Sequence, residues 1–106
     1  MAVEEITVDQ LAGLREAGAF VLDVRNPDEH EEARVPDVVL IPLPELEGRY
    51  TEIPDVDEVY VICRSGARSA RAAEFLRANG LTAINVAGGT LAWIESGRGV
   101  DSGPAN

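Results

Sequence analysis

Short apolar runs alternate with helical patterns along most of this chain, and that order constrains its fold more than any other feature. The runs that predict strands are FVLDV (20–24), VVLI (38–41), EVYVIC (58–63) and TAINVA (82–87). They are rich in residues that favour strands, and most are apolar throughout, as strands covered on both faces are. The pattern predicts an α/β fold: a three-layer, open, mostly parallel sheet with helices on both faces.

Capping residues mark where the first two helices begin. Thr7 followed by Gln10 matches a capping box before a helical pattern that Gly18 ends. Asn26 is the predicted N-cap of the second helix, with Pro27 at its first position. Three further helices are predicted over residues 45–49, 69–78 and 90–96.

The length of 106 residues is that of one ordinary domain. We predict a single domain over residues 1–100 and a flexible C-terminal tail over 101–106. The sequence there, VDSGPAN from residue 100 onward, shows neither a helical nor a strand pattern. The N-terminal segment lacks a basic stretch followed by an apolar run, and no apolar stretch approaches membrane-spanning length. We therefore expect a cytoplasmic protein that does not bind membranes.

The charge and cysteine content exclude several classes of function. The formal net charge is −10 and the isoelectric point is near 4.4, which argues against binding to nucleic acid or to anionic lipid. A single cysteine cannot form an internal disulfide or build a zinc site by itself. We predict neither a metal nor a cofactor.

The single cysteine, Cys63, lies where the strand EVYVIC meets the next helix. In parallel sheets the ligand crevice lies beyond the carboxyl ends of the strands. The segment from Arg64 to Arg68 can curl so that its backbone N–H groups point inward, and Gly66 permits the required backbone angles. A thiol in such a cradle, at a helix N-terminus, has a lowered pKa. The arrangement predicts that Cys63 is a nucleophile.

A cysteine at a strand end is more often a core residue than a catalyst. Here a glycine and three arginines follow Cys63 closely, which favours a functional role. Arg64 and Arg68 lie where cations oppose the helix dipole, so they are predicted to bind an anion. Arg71, one turn later, is predicted to be a surface residue paired with Glu74.

The length of the loop separates two kinds of cysteine chemistry. Cysteine-dependent phosphatases place five residues between the cysteine and the arginine of the loop that wraps the phosphoryl group. Only four residues separate Cys63 from Arg68. The shorter loop makes a tighter ring, which matches one bound sulfur atom better than a phosphoryl group.

Four motifs together resemble the rhodanese-like sulfurtransferase family in its single-domain form. They are VLDVRNPDEH (21–30), IPLPEL (41–46), CRSGARSARAA (63–73) and GGTLAW (88–93). Each motif is weak alone, but their order and spacing are specific, and the resemblance covers about residues 5–100. In one place the chain departs from the family: ARVPDV (33–38) replaces a segment commonly like GHIPGA.

The resemblance implies a mechanism and a set of site residues. The Cys63 thiolate would take the outer sulfur of a small anionic donor such as thiosulfate, forming a persulfide, and pass it to a thiol or thioredoxin-like acceptor. Asp23 and Arg25 match the family's Asp-x-Arg and are predicted to support the pocket as an ion pair. The residues predicted to bind substrate are Arg64, Ser65, Gly66, Ala67, Arg68 and Ser69.

Two alternatives stay open beside the sulfurtransferase. One is a sulfur carrier or regulatory binding module that holds a persulfide without fast turnover. The other is a small cysteine-dependent phosphatase or arsenate reductase, which the loop length disfavours. Two further predictions concern single positions. His30, which lies in a run of acids, is predicted to be solvated. Gly88 and Gly89 are predicted to form a tight turn near the same sheet edge.

Overall fold

The computed structural model describes residues 3–104. Its strands are β1 (Glu5–Ile6), β2 (Phe20–Asp23), β3 (Val39–Leu40), β4 (Val59–Ile62) and β5 (Ala83–Val86). Its helices are α1 (Val8–Glu16), α2 (Pro27–Glu32), α3 (Leu43–Arg49), α4 (Ala67–Ala78) and α5 (Gly89–Glu95), with a short 3₁₀ helix at Tyr50–Glu52.

The five strands form one sheet in the order β1-β5-β4-β2-β3, and every neighbouring pair is parallel. Along β4, Tyr60 lies opposite Val21 of β2 on one side and Ile84 of β5 on the other. All carboxyl ends of the strands therefore meet at one edge. The predicted α/β fold with a parallel sheet is confirmed.

Side chains of the sheet pack into two buried layers. On one face the core includes residues of α3 and α4, namely Leu46, Ala72, Ala73 and Leu76, packed with Leu22, Val61 and Cys63. On the other face Leu11 of α1 and Trp93 of α5 pack with Val21, Tyr60 and Ile84. Both faces of the central strands are covered, which explains why β4 and β5 are buried throughout.

The capping predictions are confirmed, and the last three helices begin one or two residues before their predicted starts. Thr7 and Gln10 form the reciprocal capping box of α1, and Asn26 precedes Pro27 at the start of α2. The fourth helix begins two residues before the predicted start, because Gly66 adopts a left-handed backbone (φ 112°) and forms its N-cap.

The edge strand β1 is not among the predicted strands. It has two residues, Glu5 and Ile6, which pair with Asn85 and Val86 of β5. A segment this short carries no period-two pattern, so only its long-range pairing identifies it.

The part of the C-terminal segment that the structure describes is hydrogen-bonded to α2 and to the residues that follow α2. Asp101 exchanges two backbone hydrogen bonds of 2.9 Å with Arg34. The N–H of Gly103 donates to the carbonyl oxygen of Glu31, and the Arg34 guanidinium donates to the carbonyl oxygen of Gly103 at 2.8 Å. The flexible tail predicted over 101–106 thus has hydrogen-bonded residues at 101 and 103, and its last two positions lie outside the described residues.

Arg34 belongs to the segment that departs from the family pattern. Asp37 in the same segment adopts a left-handed backbone (φ 65°), a conformation that aspartate tolerates better than most residues. Its carboxylate lies 3.6 Å from the Arg15 guanidinium. The altered loop is therefore braced by contacts that its own residues make.

No helix within residues 3–104 combines the length and the apolar character that crossing a membrane requires.

Deletion of residues 101–106 tests the docking of the C-terminal segment. We expect the deletion to lower the free energy of unfolding by about 1–2 kcal/mol, because it removes several partly buried hydrogen bonds. Urea denaturation measures the change. In the deleted chain, Arg34→Ala should cost less than in the full chain, and an equal cost in both would contradict the contact.

Candidate active site

The site forms where β4 ends and α4 begins, at the carboxyl edge of the sheet. Cys63 follows the last residue of β4, and the chain turns through Gly66 into α4. The backbone N–H of Gly66 donates to Cys63 Sγ at 3.0 Å, and the Ser69 hydroxyl lies 3.3 Å from the same sulfur. The sulfur thus has two donors from the loop and the first turn of α4.

The start of α5 determines which way the cysteine loop faces. The N–H and the hydroxyl of Thr90 donate to the carbonyl oxygen of Cys63, at 2.9 and 3.0 Å. The N–H of Leu91 donates to the carbonyl oxygen of Arg64 at 3.0 Å. Both carbonyl groups are therefore engaged with α5. The peptide group that carries the Arg64 carbonyl also carries the Ser65 N–H, which is one of the backbone groups that lower the pKa of Cys63.

Gly89 permits this close approach. Its backbone is left-handed (φ 59°), and a Cβ there would lie 2.5 Å from the Cys63 carbonyl oxygen and 2.6 Å from that of Arg64. No side chain fits at that distance. Gly89, which the sequence predicts to form a tight turn with Gly88, is therefore also required for α5 to pack against the cysteine loop.

Opposing effects act on the thiol of Cys63, which is 1% exposed. Burial raises its pKa, because desolvation disfavours the thiolate. Hydrogen bonds from the Ser69 hydroxyl and from the backbone N–H groups of Ser69, Gly66 and Ser65 lower it. The hydrogen bonds outweigh the burial, so the pKa of Cys63 lies below the ordinary value for a thiol.

Asn85 of β5 completes the buried polar network around the sulfur. It is 1% exposed, and its Oδ1 is a second acceptor for the Ser69 hydroxyl, whose single proton is shared between this oxygen and Cys63 Sγ. Its Nδ2 donates to Glu5 Oε2 at 2.7 Å and to the Gly66 carbonyl oxygen at 3.2 Å. Asn85 is absent from the predicted site, although one signal was available: it is a polar residue inside a strand that is otherwise apolar.

Arg68 forms an ion pair across the site. Its guanidinium makes two hydrogen bonds, of 2.7 and 2.8 Å, to the carboxylate of Glu29 on α2. This contact lowers the pKa of Glu29 to about 2, so the carboxylate is ionised at neutral pH. Arg68 therefore ties α4 to α2, and the anion-binding role predicted for it stays a prediction.

Asp23 and Arg25 form a buried ion pair of 2.8 Å at the end of β2. Arg25 also donates to the carbonyl oxygen of Ala33 at 2.8 Å. The solvated position predicted for His30 is wrong: the imidazole is 3% exposed and its Nδ1 lies 3.0 Å from Asp23 Oδ2. Asp28, Glu31 and Glu32 are exposed, while the position of His30 on α2 faces the Asp-x-Arg pair.

A cavity of about 90 Å³ opens beside the cysteine loop. Its lining includes Arg25, Glu29, Glu32, Arg64, Leu91 and Ile94. Two other residues predicted to bind substrate are exposed: Ser65 on the loop and Ala67 at the first position of α4.

Seven of the nine arginines use their guanidinium groups within the described part of the chain, in ion pairs or hydrogen bonds. The other two are Arg64 and Arg71, and both are exposed. No ion pair joins Arg71 to Glu74 within residues 3–104, so that prediction is wrong. Arg64 is the free guanidinium that lines the cavity beside Cys63.

No group of three or more His, Cys, Asp or Glu side chains within residues 3–104 could hold a metal ion.

A family model described as a rhodanese-like domain matches residues 7–96 of the chain. The chain belongs to the rhodanese-like domain family. The match begins at the N-cap of α1 and ends just after α5, so it includes the cysteine loop, the Asp23–Arg25 pair and α5. The predicted family is confirmed.

Two relatives bear names that refer to sulfur transfer. A protein of Bacillus subtilis named "Putative sulfur carrier protein YrkF" is 46% identical over 74 residues, which are 69% of this chain and 40% of that protein. A protein of Allochromatium vinosum named "Sulfurtransferase" is 36% identical over 79 residues, 74% of each chain. The rhodanese-like chain thus spans well under half of the first relative.

A solved structure shares the whole fold. The rhodanese-related protein of Thermoplasma volcanium superimposes with a TM-score of 0.86 at 36% sequence identity. The match covers 92% of this chain and 96% of that one.

Ser69→Ala tests the role of the hydroxyl that faces the sulfur. We expect the pKa of Cys63 to rise, because the thiolate loses a donor while its burial is unchanged. The pH dependence of alkylation by iodoacetamide measures the shift, and the rate at pH 7 should fall several-fold. Ser65→Ala is the matched control, since it removes an exposed hydroxyl and keeps the backbone N–H. Equal profiles for Ser69→Ala and the parent would contradict the contact.

Gly89→Ala tests the approach of α5 to the cysteine loop. The added Cβ collides with two carbonyl groups at a left-handed position, so we expect the free energy of unfolding to fall by about 2–4 kcal/mol. Urea denaturation measures the loss. Gly48→Ala is the control: this exposed glycine of α3 has open space around it, and alanine there should be neutral or stabilise by up to about 1 kcal/mol. A similar effect of the two substitutions would rule out the packing constraint.

Proposed function

We propose that the protein is a sulfurtransferase that moves a sulfane sulfur, from thiosulfate or a persulfide donor, to a thiophilic acceptor through a persulfide on Cys63. The observation that carries the proposal is the set of donors around the sulfur: the Gly66 N–H at 3.0 Å and the Ser69 hydroxyl at 3.3 Å. These donors favour the thiolate, which is the nucleophilic form of cysteine.

In the first half-reaction the Cys63 thiolate attacks the outer sulfur of the donor. A new S–S bond forms as the S–S bond of the donor breaks, and the electron pair leaves with sulfite or with a thiolate. The lowered pKa of Cys63 increases the fraction of the thiol that is ionised, so the proposed step uses no separate general base. The terminal sulfur of the persulfide then rests among the N–H groups of the loop, which stabilise its anionic form.

In the second half-reaction the acceptor attacks the terminal sulfur and the Cys63 thiolate leaves. A small thiol or a thioredoxin-like protein is the acceptor that we propose. The pKa of Cys63 favours this step also, since a thiol with a lowered pKa is a better leaving group. The predicted cytoplasmic location, where such thiols are reduced, is retained as part of the proposal.

The other groups of the site have supporting roles in this proposal. Arg64, with no partner of its own in the described chain, binds the anionic part of the donor. The Asp23–Arg25 pair and the Arg68–Glu29 pair hold the loops around the cavity.

Intact mass spectrometry tests the proposal directly. After incubation with thiosulfate or with glutathione persulfide, the protein should gain one sulfur atom, which cyanide removes. Cys63→Ser should gain none. Absence of loading by both donors, or hydrolysis of an aryl phosphate in place of loading, would refute the sulfurtransferase.

A sulfur carrier is the second candidate, favoured by the burial of Cys63 and by the name of the B. subtilis relative. It differs in turnover. A carrier is loaded once and releases its sulfur slowly, whereas the enzyme produces thiocyanate continuously from thiosulfate and cyanide.

Arg64→Ala tests the anion contact. We expect KM for thiosulfate to rise on the order of tenfold, the effect of losing one charged hydrogen bond, with a change in unfolding free energy within about 0.5 kcal/mol. Arg71→Ala is the matched control, because it removes the other unpaired guanidinium and the same charge. Equal KM values for the two variants would exclude a specific role for Arg64.

A further inference from the structure

The charged groups at the mouth of the site are almost all paired with one another. Arg68 is held by Glu29, and Arg25 is held by Asp23. One guanidinium, that of Arg64, is left for a ligand. The sequence predicts two guanidinium groups for an anionic donor, and the fold leaves one of them free.

An unpaired acid lies at the same mouth. Glu32, the last residue of α2, is exposed, lines the cavity together with Arg64, and forms no ion pair within residues 3–104. The three guanidinium groups of the site are those of Arg25, Arg64 and Arg68, and its three carboxylates are those of Asp23, Glu29 and Glu32.

These formal charges cancel, and the thiolate of Cys63 adds one negative charge. The surrounding protein carries a net charge of −10. A dianion therefore meets net repulsion at this site, and a monoanion meets half as much. Thiosulfate is a dianion.

The cavity also has an apolar wall that nothing in the described chain covers. Leu91 and Ile94 lie one turn apart on α5, are 38% and 43% exposed, and line the cavity beside Arg64. An inorganic anion gains nothing from this wall, whereas an organic group gains from burial against it.

From this charge balance and this wall we infer the class of donor: an organic sulfane-sulfur compound with a single negative charge, such as an organic persulfide or thiosulfonate. Glu32 is the specificity-determining residue that disfavours thiosulfate. The inference rests on the proposed function and narrows its donor.

The step is the same for each donor of the class. With a thiosulfonate, R–SO₂–S⁻, the Cys63 thiolate attacks the outer sulfur, and the S–S bond of the donor breaks as the new one forms. The electron pair leaves with the sulfinate, R–SO₂⁻, and Cys63 becomes a persulfide anion. With an organic persulfide the leaving group is a thiolate.

Three donors separate charge from apolar contact: thiosulfate, methanethiosulfonate and benzenethiosulfonate. Thiosulfate is dianionic, the other two are monoanionic, and the last carries a ring. Intact mass spectrometry measures the rate at which each donor loads sulfur on Cys63. Each rate is divided by the rate of the same donor with free cysteine, so that differences in the intrinsic reactivity of the donors cancel. We expect the normalised rates to rise from thiosulfate through methanethiosulfonate to benzenethiosulfonate.

Glu32→Gln isolates the charge effect. At an ionic strength of about 0.01 M, where the screening length is about 30 Å, it should raise kcat/KM for thiosulfate roughly two- to fourfold. Because Coulomb energy scales with ligand charge, the factor for methanethiosulfonate should be only about the square root of that. Asp57→Asn is the matched control: it removes one negative charge from an exposed residue at the opposite end of β4, and should leave the ratio of the donors unchanged.

Ile94→Ser isolates the apolar contact. It should lower the normalised rate for benzenethiosulfonate roughly three- to tenfold, the effect of a partly buried apolar contact, and leave that for methanethiosulfonate unchanged. The inference is overturned if thiosulfate has the highest normalised rate, or if Glu32→Gln affects dianion and monoanion by equal factors. If none of the three donors loads Cys63, the inference is overturned, and if glutathione persulfide also fails to load Cys63, the proposed function fails as well.

Discussion

The hydrogen bonds from the start of α5 to the carbonyl oxygens of Cys63 and Arg64 are the interaction on which the site depends. A peptide group has a donor on one side and an acceptor on the other. Once the Arg64 carbonyl faces α5, the Ser65 N–H of the same peptide group points away from α5, and this N–H is one of the groups that lower the pKa of Cys63. The approach requires the missing side chain of Gly89. The last helix therefore orients one of the peptide groups that lower the pKa of a thiol 26 residues earlier.

Ion pairing is the second constraint. A cluster of arginines suggests a strongly positive site, but two of the arginines of this site are paired with carboxylates. Arg68 and Arg25 each contact a carboxylate, so they join loops together and add little net positive charge. Glu29 on α2 lies 39 residues from Arg68 in the chain, whereas Asp23 lies two residues from Arg25. The electrostatic character of the cavity is consequently set by two residues without partners in the described chain, Arg64 and Glu32. A ligand in this cavity would therefore contact one unpaired cation, one unpaired anion and an apolar wall.

Local patterns predicted most of the fold and the centre of the site. The capping box at Thr7 and the apolar runs depend on neighbouring residues, and so does the strand–loop–helix joint at Cys63. Most of the failures involve tertiary contacts. β1 exists only through its pairing with β5, His30 is buried because α2 turns it toward Asp23, and Asn85 reaches the sulfur network through Ser69. Periodicity contains no information about which distant side chain closes a hydrogen bond.

The sequence by itself determined the α/β order, the parallel sheet, the place of Cys63 at a strand end and the family. It did so because propensity, capping and motif spacing act over a few residues. Only the tertiary structure decided which arginine is free, which residues face the sulfur and what lines the cavity. Those properties depend on pairs separated by tens of residues, such as Glu29 with Arg68, and the packing of helices on the sheet brings such pairs together.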